Sequence, residues 1–522
     1  MKIHIRILLL LFFAASTAFS QDKASLVKTE AGLISGMQNK TTGIYIYKGI
    51  PFAKPPVGDL RWKAPQPVSH WDGVKQCEIF GASAPQTKPA PFMMYTSEFL
   101  IPAEPISEDC LYLNIWTSSL SSSAKKPVIV WIHGGAFISG SGSCPIYDGE
   151  NMAKKNVVFV TINYRLGVFG FLAHPDLTKE SGTNSSGNYA FLDQLAALQW
   201  VKKNIAAFGG DPSRVTIAGQ SAGSFSVSAL AASPLAKGLF QRVIAESGGM
   251  FNTDERTLTL QAAEQAGIKI LEKLKASSIQ ELRTKPVDEL IKAVGFGMVG
   301  PVVDGYVLPT NIFEIYSNGN ENDVPVLTGW NRDEGFGAGN VPSSKDYKAA
   351  AKKKYGTLAD DFLLAYPGAN ADEIKKSQSL FSRNNTFAWH AYTWARLQTA
   401  KARSKVFLYQ FDRVPPENEA YGAFHSAEIA YALHSLQMWK RPWTETDKRI
   451  EDMMSSYWAN FAATGNPNSK NLPDWKPFDR NSPALMEFEV KETGMKPIPG
   501  IPGFEFIDKY QKQARQTSIN SN

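Results

Sequence analysis

Six short apolar runs constrain this fold more than any other feature of the chain. They are PVIVWIH (127–133), NVVFVTINY (156–164), RVTIAG (214–219), RVIAES (242–247), VPVLTG (324–329) and KVFLYQF (405–411). Each is bounded by turn residues and is apolar throughout instead of alternating with polar positions. A strand of that kind must be covered on both faces, which is the pattern of a parallel sheet between two helical layers. The segments between them carry apolar residues at helical spacing, as in YAFLDQLAALQWVKKNIAAFGG (189–210), NTFAWHAYTWARLQTAKA (385–402) and KRIEDMMSSYWANFAATG (448–465). Strands alternating with helices predict an α/β fold: a large, mostly parallel central sheet with helices on both faces. Such sheets bind ligands in crevices at the carboxyl ends of their strands.

With 522 residues, 43% of them apolar and 20% charged, the chain can bury a large core as an ordinary globular protein. No linker or internal repeat interrupts it, and SSLSSSAKK (118–126) reads as a polar surface loop. The first twenty residues differ from the rest. Lys2 and Arg6 precede the apolar run ILLLLFFAASTAF, and Ala18 and Ser20 sit at −3 and −1 of a cut before Gln21. This is the pattern of a secretory signal peptide over residues 1–20, with an apolar run shorter than the roughly 20 residues a bilayer requires. No later stretch has the length to span a membrane.

Removing Lys2 and Arg6 lowers the formal net charge from +6 to +4. That mild balance, with no arginine- or lysine-rich stripe, implies no nucleic-acid partner, and KAAAKKKYG (348–356) reads as a solvated helix face. The three cysteines, Cys77, Cys110 and Cys144, lack metal-ligand spacing, and the seven histidines are scattered singly. No metal site is expected. In an exported chain a disulfide becomes possible, with one cysteine left over.

The chemistry lies in RVTIAGQSAGSFSVS (214–228), where a β-branched run stops at Gly219 and a helix-compatible stretch follows Ser221. A serine at a tight strand-to-helix turn is pushed out over the carboxyl edge of the sheet. The turn is strained, so its neighbours must be small, as Gly219, Ala222 and Gly223 are. The N–H of Ala222, at the start of the helix, points toward an oxyanion formed at Ser221. GxSxG alone is a weak signal and also fits a turn with no chemistry. A second element strengthens it: HGGAF (133–137) directly follows the strand PVIVWIH, where adjacent glycines let backbone N–H groups approach a substrate.

Serine is a poor nucleophile without a neighbouring base. Of the histidines after Ser221, His390 and His434 fall in helical patterns and read as packing residues. His425, in YGAFHSAE after the strand KVFLYQF, is borne on a loop and is the expected base. The acid should lie on a loop between serine and histidine in the chain. WNRDEGFG offers Asp333 and Glu334, and spacing does not choose between them.

Taken together these residues resemble the type-B carboxylesterase and cholinesterase branch of the α/β-hydrolases. EDCLYLNI (108–115), TIAGQSAGS, NRDEG and FHSAE are similar to that family's signatures. KGIPFAKPPVGDLRWKAPQP (48–67) and WANFAATGNPN (458–468) resemble its ends. The resemblance covers nearly the whole mature chain, so residues 21–522 are expected to form one α/β-hydrolase domain. It implies Ser221 as nucleophile, Glu334 as acid, His425 as base, and Gly135, Ala136 and Ala222 as oxyanion donors. The implied activity is hydrolysis of small-molecule carboxylic esters through an acyl-enzyme, without metal or organic cofactor, in a secreted or periplasmic protein. A lipase or an aryl- or feruloyl-type esterase uses the same scaffold. Non-catalytic adhesion members of the family have lost part of the triad, which is complete here.

Three features depart from the family pattern. Gln220 stands where a glutamate is usual, which argues against a cationic, choline-type substrate. Ala84 stands where the first conserved cysteine falls, so Cys110 lacks its usual partner, and Cys77 is the available substitute for a disulfide. The stretch PAPFMMYTSEFLIPAEP (89–105) lacks the tryptophan that holds choline. Its Phe92, Met93, Met94, Tyr95 and Phe99 either line an apolar cleft or cover the core.

Overall fold

Eleven strands form one sheet, numbered here along the chain: β1 (Met37–Gln38), β2 (Tyr45–Pro51), β3 (Tyr112–Thr117), β4 (Lys126–Ile132), β5 (Val158–Ile162), β6 (Gly210–Gln220), β7 (Arg242–Glu246), β8 (Val326–Asn331), β9 (Val406–Phe411), β10 (Ala484–Phe488) and β11 (Gly494–Pro497). Their spatial order is β11-β10-β9-β8-β7-β6-β4-β5-β3-β2-β1. The computed structural model describes residues 25–520 apart from 253–256, 296, 337–339 and 402. The expected leader peptide therefore lies outside the described residues.

The six apolar runs are β4 to β9, and every pairing among them is parallel. β10 extends the parallel block beyond β9, while the joins at β3, β2, β1 and β11 are antiparallel. The reason for continuous apolarity is visible along β4. Val128, Val130 and Ile132 enter the core on one face, and Ile129 and Trp131 enter the core on the other. Period-two geometry sends successive side chains to opposite faces, and here neither face meets water.

Helices supply both covers. α1 (Tyr189–Asn204) and α2 (Ala222–Ala232) pack on the first face, through residues such as Leu198, Val201 and Leu230. α3 (Trp389–Thr399) follows a π-helical turn at Asn384–Ala388 and joins the same layer through Trp394. α4 (Glu445–Thr464) covers the second face with Met454, Trp458 and Phe461. It starts at a capping box in which Thr444 and Asp447 satisfy each other's backbone N–H groups, and it stops at Gly465 in the left-handed conformation.

The Cys77–Cys110 bridge is not formed: Cys77, Cys110 and Cys144 are all free and buried. Strand pairing holds Cys77 in a small edge sheet, where its N–H donates to the Ser35 carbonyl and its own carbonyl accepts from Lys48 N–H. Cys110 instead lies by the buried Arg165–Asp193 ion pair, whose charges it senses. Burial pushes the Cys77 thiol up to about 12 and raises Cys110 as well, which disfavours the reactive thiolates.

Candidate active site

Parallel strands bring the site together. β6, β8 and β9 run in one direction within four adjacent positions of the sheet, so the segments after them emerge at the same edge. Ser221 follows β6, Glu334 follows β8 and His425 lies in the loop after β9. Strand spacing of about 4.8 Å keeps those three exits within side-chain reach.

Ser221 sits between β6 and α2 with φ +57° and ψ −122°. A non-glycine residue held there carries about 1–3 kcal/mol of strain. The surrounding bonds impose it: Ser221 N–H donates to the Glu246 carbonyl at 3.0 Å, and Phe225 N–H donates to the Ser221 carbonyl at 2.9 Å. Close approach explains the flanking glycines. A Cβ at Gly223 would lie 1.9 Å from the Ile132 carbonyl oxygen, and one at Gly219 would lie 2.6 Å from the Gly223 carbonyl carbon.

The HGGAF loop leaves β4 directly against this turn, and a Cβ at Gly134 would lie 2.8 Å from the Gln220 carbonyl oxygen. Gly135 has φ +105°, and Ala136 and Phe137 also have positive φ. The loop's own hydrogen bonds run from the N–H groups of Ile138 and Ser139 back to the Gly135 carbonyl, which does not occupy the N–H groups of Gly135 and Ala136. Ala222 is the first residue of α2, where an N–H has no intrahelical acceptor. His133 anchors the loop instead of reacting. Its ring stacks on Tyr164 at 4.4 Å, and burial pushes it down to about 4, so it is neutral.

Glu334 and His425 are both buried, and His425 Nδ1 lies 2.8 Å from Glu334 Oε2. The other Glu334 oxygen accepts Asn331 N–H at 2.9 Å. Asp333 serves a different purpose. Its Oδ2 accepts from Arg332 and from Ala423 N–H, which ties the acid loop to the histidine loop. The ring of His425 stacks on Phe387, with centroids 4.3 Å apart and planes at 18°, and Phe336 meets it at 66°. No hydrogen bond among the described residues joins Ser221 Oγ to His425. Both line one cavity of about 510 Å³, together with Gly135, Ala136 and Gln220. His390 accepts from Phe251 N–H in the core beneath, and His434 lies beside Glu451 beyond the short helix Ile429–Ala432.

The 89–105 stretch both lines the cleft and covers the core. Phe92, Tyr95 and Phe99 line the cavity, while Met94 packs on the core. The Tyr95 hydroxyl donates to the His425 carbonyl at 3.1 Å, a support that no sequence pattern announces. Two further carboxyls lie behind the histidine. Glu246 accepts from Trp458 Nε1 at 2.7 Å, and Glu428 accepts from Asn331 Nδ2. Burial pushes both well above the usual carboxylate range, toward neutral acids. In the sequence they read as an ordinary strand end and an ordinary helix start. Among the described residues, no group of three or more His, Cys, Asp or Glu side chains is arranged to hold a metal ion.

A serine on a strained strand-to-helix turn, over the carboxyl edge of a parallel sheet covered on both faces, defines an α/β-hydrolase. The sequence profile of the carboxylesterase family matches residues 23–506, and the chain belongs to that family. Para-nitrobenzyl esterase of Bacillus subtilis (strain 168) is 36% identical over 491 residues, covering 90% of this chain and 94% of that one. Fumonisin B1 esterase of Sphingopyxis macrogoltabida is 34% identical over 490 residues, covering 90% and 87%. Cocaine esterase of Homo sapiens is 35% identical over 512 residues, covering 89% and 88%. A solved structure of PNB esterase superposes with a TM-score of 0.79 at 33% identity, covering 92% of this chain and 99% of that one. The protein is a carboxylic ester hydrolase.

Proposed function

We propose that Ser221, His425 and Glu334 carry the hydrolysis. The observation that carries this reading is the 2.8 Å contact between His425 and Glu334, on a histidine that shares its cavity with Ser221. Glu334 fixes the Nδ1–H tautomer of His425, which leaves Nε2 as the base. Substrate binding brings the hydroxyl and the ring into bonding distance, as catalytic hydrogen bonds commonly tighten only in the complex. Ser221 Oγ then attacks the ester carbonyl carbon while Nε2 takes its proton. The carbonyl oxygen becomes an oxyanion facing the N–H groups of Gly135, Ala136 and Ala222, and one such donor is worth about 10²–10³ in kcat. The C–O bond to the alcohol breaks as Nε2 returns the proton to the leaving oxygen. Water repeats the sequence on the acyl-enzyme and frees the acid and Ser221.

The substrates we propose are neutral esters with an apolar acyl or aryl group. The cavity wall is largely apolar, from Phe92, Tyr95, Phe99, Ile138 and Phe336. The named relatives act on a p-nitrobenzyl ester, fumonisin B1 and cocaine, so the family scaffold accommodates esters of very different shape. A lipase reading is favoured by one feature: Phe92 and Phe336, which line the cavity, are 57% and 55% exposed. The basic, apolar and small-residue order of residues 1–20 supports export to the periplasm or beyond the cell. Among the described residues no helix is long and apolar enough to cross a membrane.

A substrate panel tests the specificity. Short acyl, long acyl, cinnamoyl and p-nitrobenzyl esters are compared by kcat/KM, with the long-chain ester taken through its solubility limit. A rate that jumps as the ester forms an interface favours the lipase. Saturation below that limit favours the carboxylesterase.

A further inference from the structure

Gln220 stands one residue before Ser221, at the end of β6, and is 2% exposed. Its Nε2 lies 3.4 Å from Nδ1 and 3.4 Å from Nε2 of His425. Equal separation has a steric consequence. In the plane of the imidazole, an atom equidistant from the two nitrogens runs into the Cε1–H between them. The amide therefore sits over a face of the ring. Phe387 already covers one face in a stacked arrangement, so the amide takes the other. Phe336 meets the ring obliquely, and Glu334 holds Nδ1.

This packing restricts rotation of the imidazole without using the in-plane lone pair of Nε2, which stays available for the Ser221 proton. The charge of the neighbourhood explains why a neutral side chain suits the position. Glu334 faces His425 from the β8 loop. Glu428 lies three residues further along the histidine's own loop. Glu246 is paired in register with Gln220 on β7. Tyr95 donates to the His425 carbonyl, Arg383 lies near enough to Glu334 to sense its charge, and Tyr409 lies near all three glutamates. Burial drives Glu246 and Glu428 toward neutral acids. A glutamate at 220 would instead lie over the imidazole itself, where a protonated ring offsets its negative charge.

We propose that Gln220 is a positioning residue, a neutral clamp that holds the His425 ring face-on against Phe387 with Nε2 toward Ser221 and adds no charge favouring the imidazolium. The proposal rests on the Ser221–His425–Glu334 reading.

The test is the pH dependence of kcat/KM for a p-nitrophenyl ester, with wild type, Gln220→Glu and Gln220→Ala each first titrated by a fluorophosphonate to count reactive serines. A carboxylate against the ring favours its charged form, so Gln220→Glu should move the acid limb of the profile up by about one pH unit or more. Gln220→Ala, neutral and too short to reach the ring, should leave that limb within about 0.3 pH unit. It should lower kcat by about fivefold or more, with KM changing less than about twofold, because ring placement alone is lost. An unmoved limb in Gln220→Glu, or full kcat per labelled serine in Gln220→Ala, overturns the clamp. Absence of label on Ser221 in the wild type overturns the triad reading itself, and the clamp with it.

Discussion

Asp333 and Ala423 hold each other twice. The Asp333 N–H donates to the Ala423 carbonyl at 3.0 Å, and the Ala423 N–H donates to Asp333 Oδ2 at 2.9 Å. The loop carrying Glu334 and the loop carrying His425 are therefore fastened one residue from Glu334 and two from His425. Arg332 pairs with the same Asp333 carboxylate at 2.8 Å and steadies it. Gly422 makes the approach possible, since a Cβ there would lie 2.3 Å from Asp333 Oδ2.

Asp333→Ala removes the side-chain half of this clasp and keeps the backbone half, with Glu334 and His425 left in the chain. A hydrogen bond to a charged group is worth about 1.5–3 kcal/mol, reduced here by partial exposure, so a stability loss of about 1–2 kcal/mol is expected in urea unfolding. Because the histidine loop loosens, kcat should fall by about tenfold with a smaller change in KM. An unchanged kcat would show that the two loops are positioned independently.

Glu334→Gln replaces an acceptor with an amide whose nitrogen cannot accept the His425 Nδ1–H. The wrong tautomer or an unpaired ring nitrogen follows. The expected loss in kcat is about 10²–10⁴, with the far-ultraviolet circular dichroism spectrum unchanged. Steady-state kinetics on a p-nitrophenyl ester checks it, and a loss below about threefold contradicts the role given to Glu334.

Gly223→Ala tests the turn. Its new methyl meets the Ile132 carbonyl oxygen at 1.9 Å, and backbone cannot yield there as a flexible side chain would. The variant should lose about 3 kcal/mol or more, or fail to accumulate. Gly300→Ala, where nothing lies within 4 Å of the added Cβ, should stay within about 0.5 kcal/mol of wild type.

Glu246 is pushed by burial from the usual 4.5 up to about 8. A carboxyl that holds its proton more tightly in the folded chain adds protons on folding. The stability it contributes is full below about pH 4.5 and is lost as pH rises toward about 8. Glu246→Gln has no such proton to lose. The stability advantage of wild type over this variant should therefore shrink with rising pH, by at most about 1.4 kcal/mol per unit. His133, lowered to about 4, tilts stability the other way, lost as pH falls from 6.5 through 4, but both proteins share it. Urea titrations across the range check the gap, and a gap independent of pH contradicts the buried neutral acid.

Much of this arrangement is legible in the residues because it depends on local patterns. The runs that become β4 to β9 are apolar on both faces, and no other strand geometry accommodates that. β2, β3 and β10 escape such a reading. In β2, YIYKGIP, lysine and glycine interrupt the apolar pattern, and β10, ALMEF, is short. GQSAG and HGGAF announce the turn and its loop because a Cβ at their glycines collides with backbone. The choice of Glu334 over Asp333 needs the family resemblance, since both carboxylates serve the same loop junction at adjacent positions. The ring contacts of Phe387 and Phe336 on His425, the Tyr95 hydroxyl and the Glu246–Glu428 acids are not legible. Each depends on how separate elements dock, and Phe387 in particular belongs to a helical pattern whose facing direction only the packed layer fixes. The family resemblance offers Cys77 only as a substitute partner for Cys110, and strand pairing keeps the two in different neighbourhoods.

The most direct test of the central claim is the hydrolysis of p-nitrophenyl acetate by purified, folded Ser221→Ala. If Ser221 forms the acyl-enzyme, kcat/KM should fall by about 10⁴-fold or more, leaving only the contribution of binding and the oxyanion loop. Activity within about tenfold of wild type would contradict the account and place the nucleophile elsewhere in the chain.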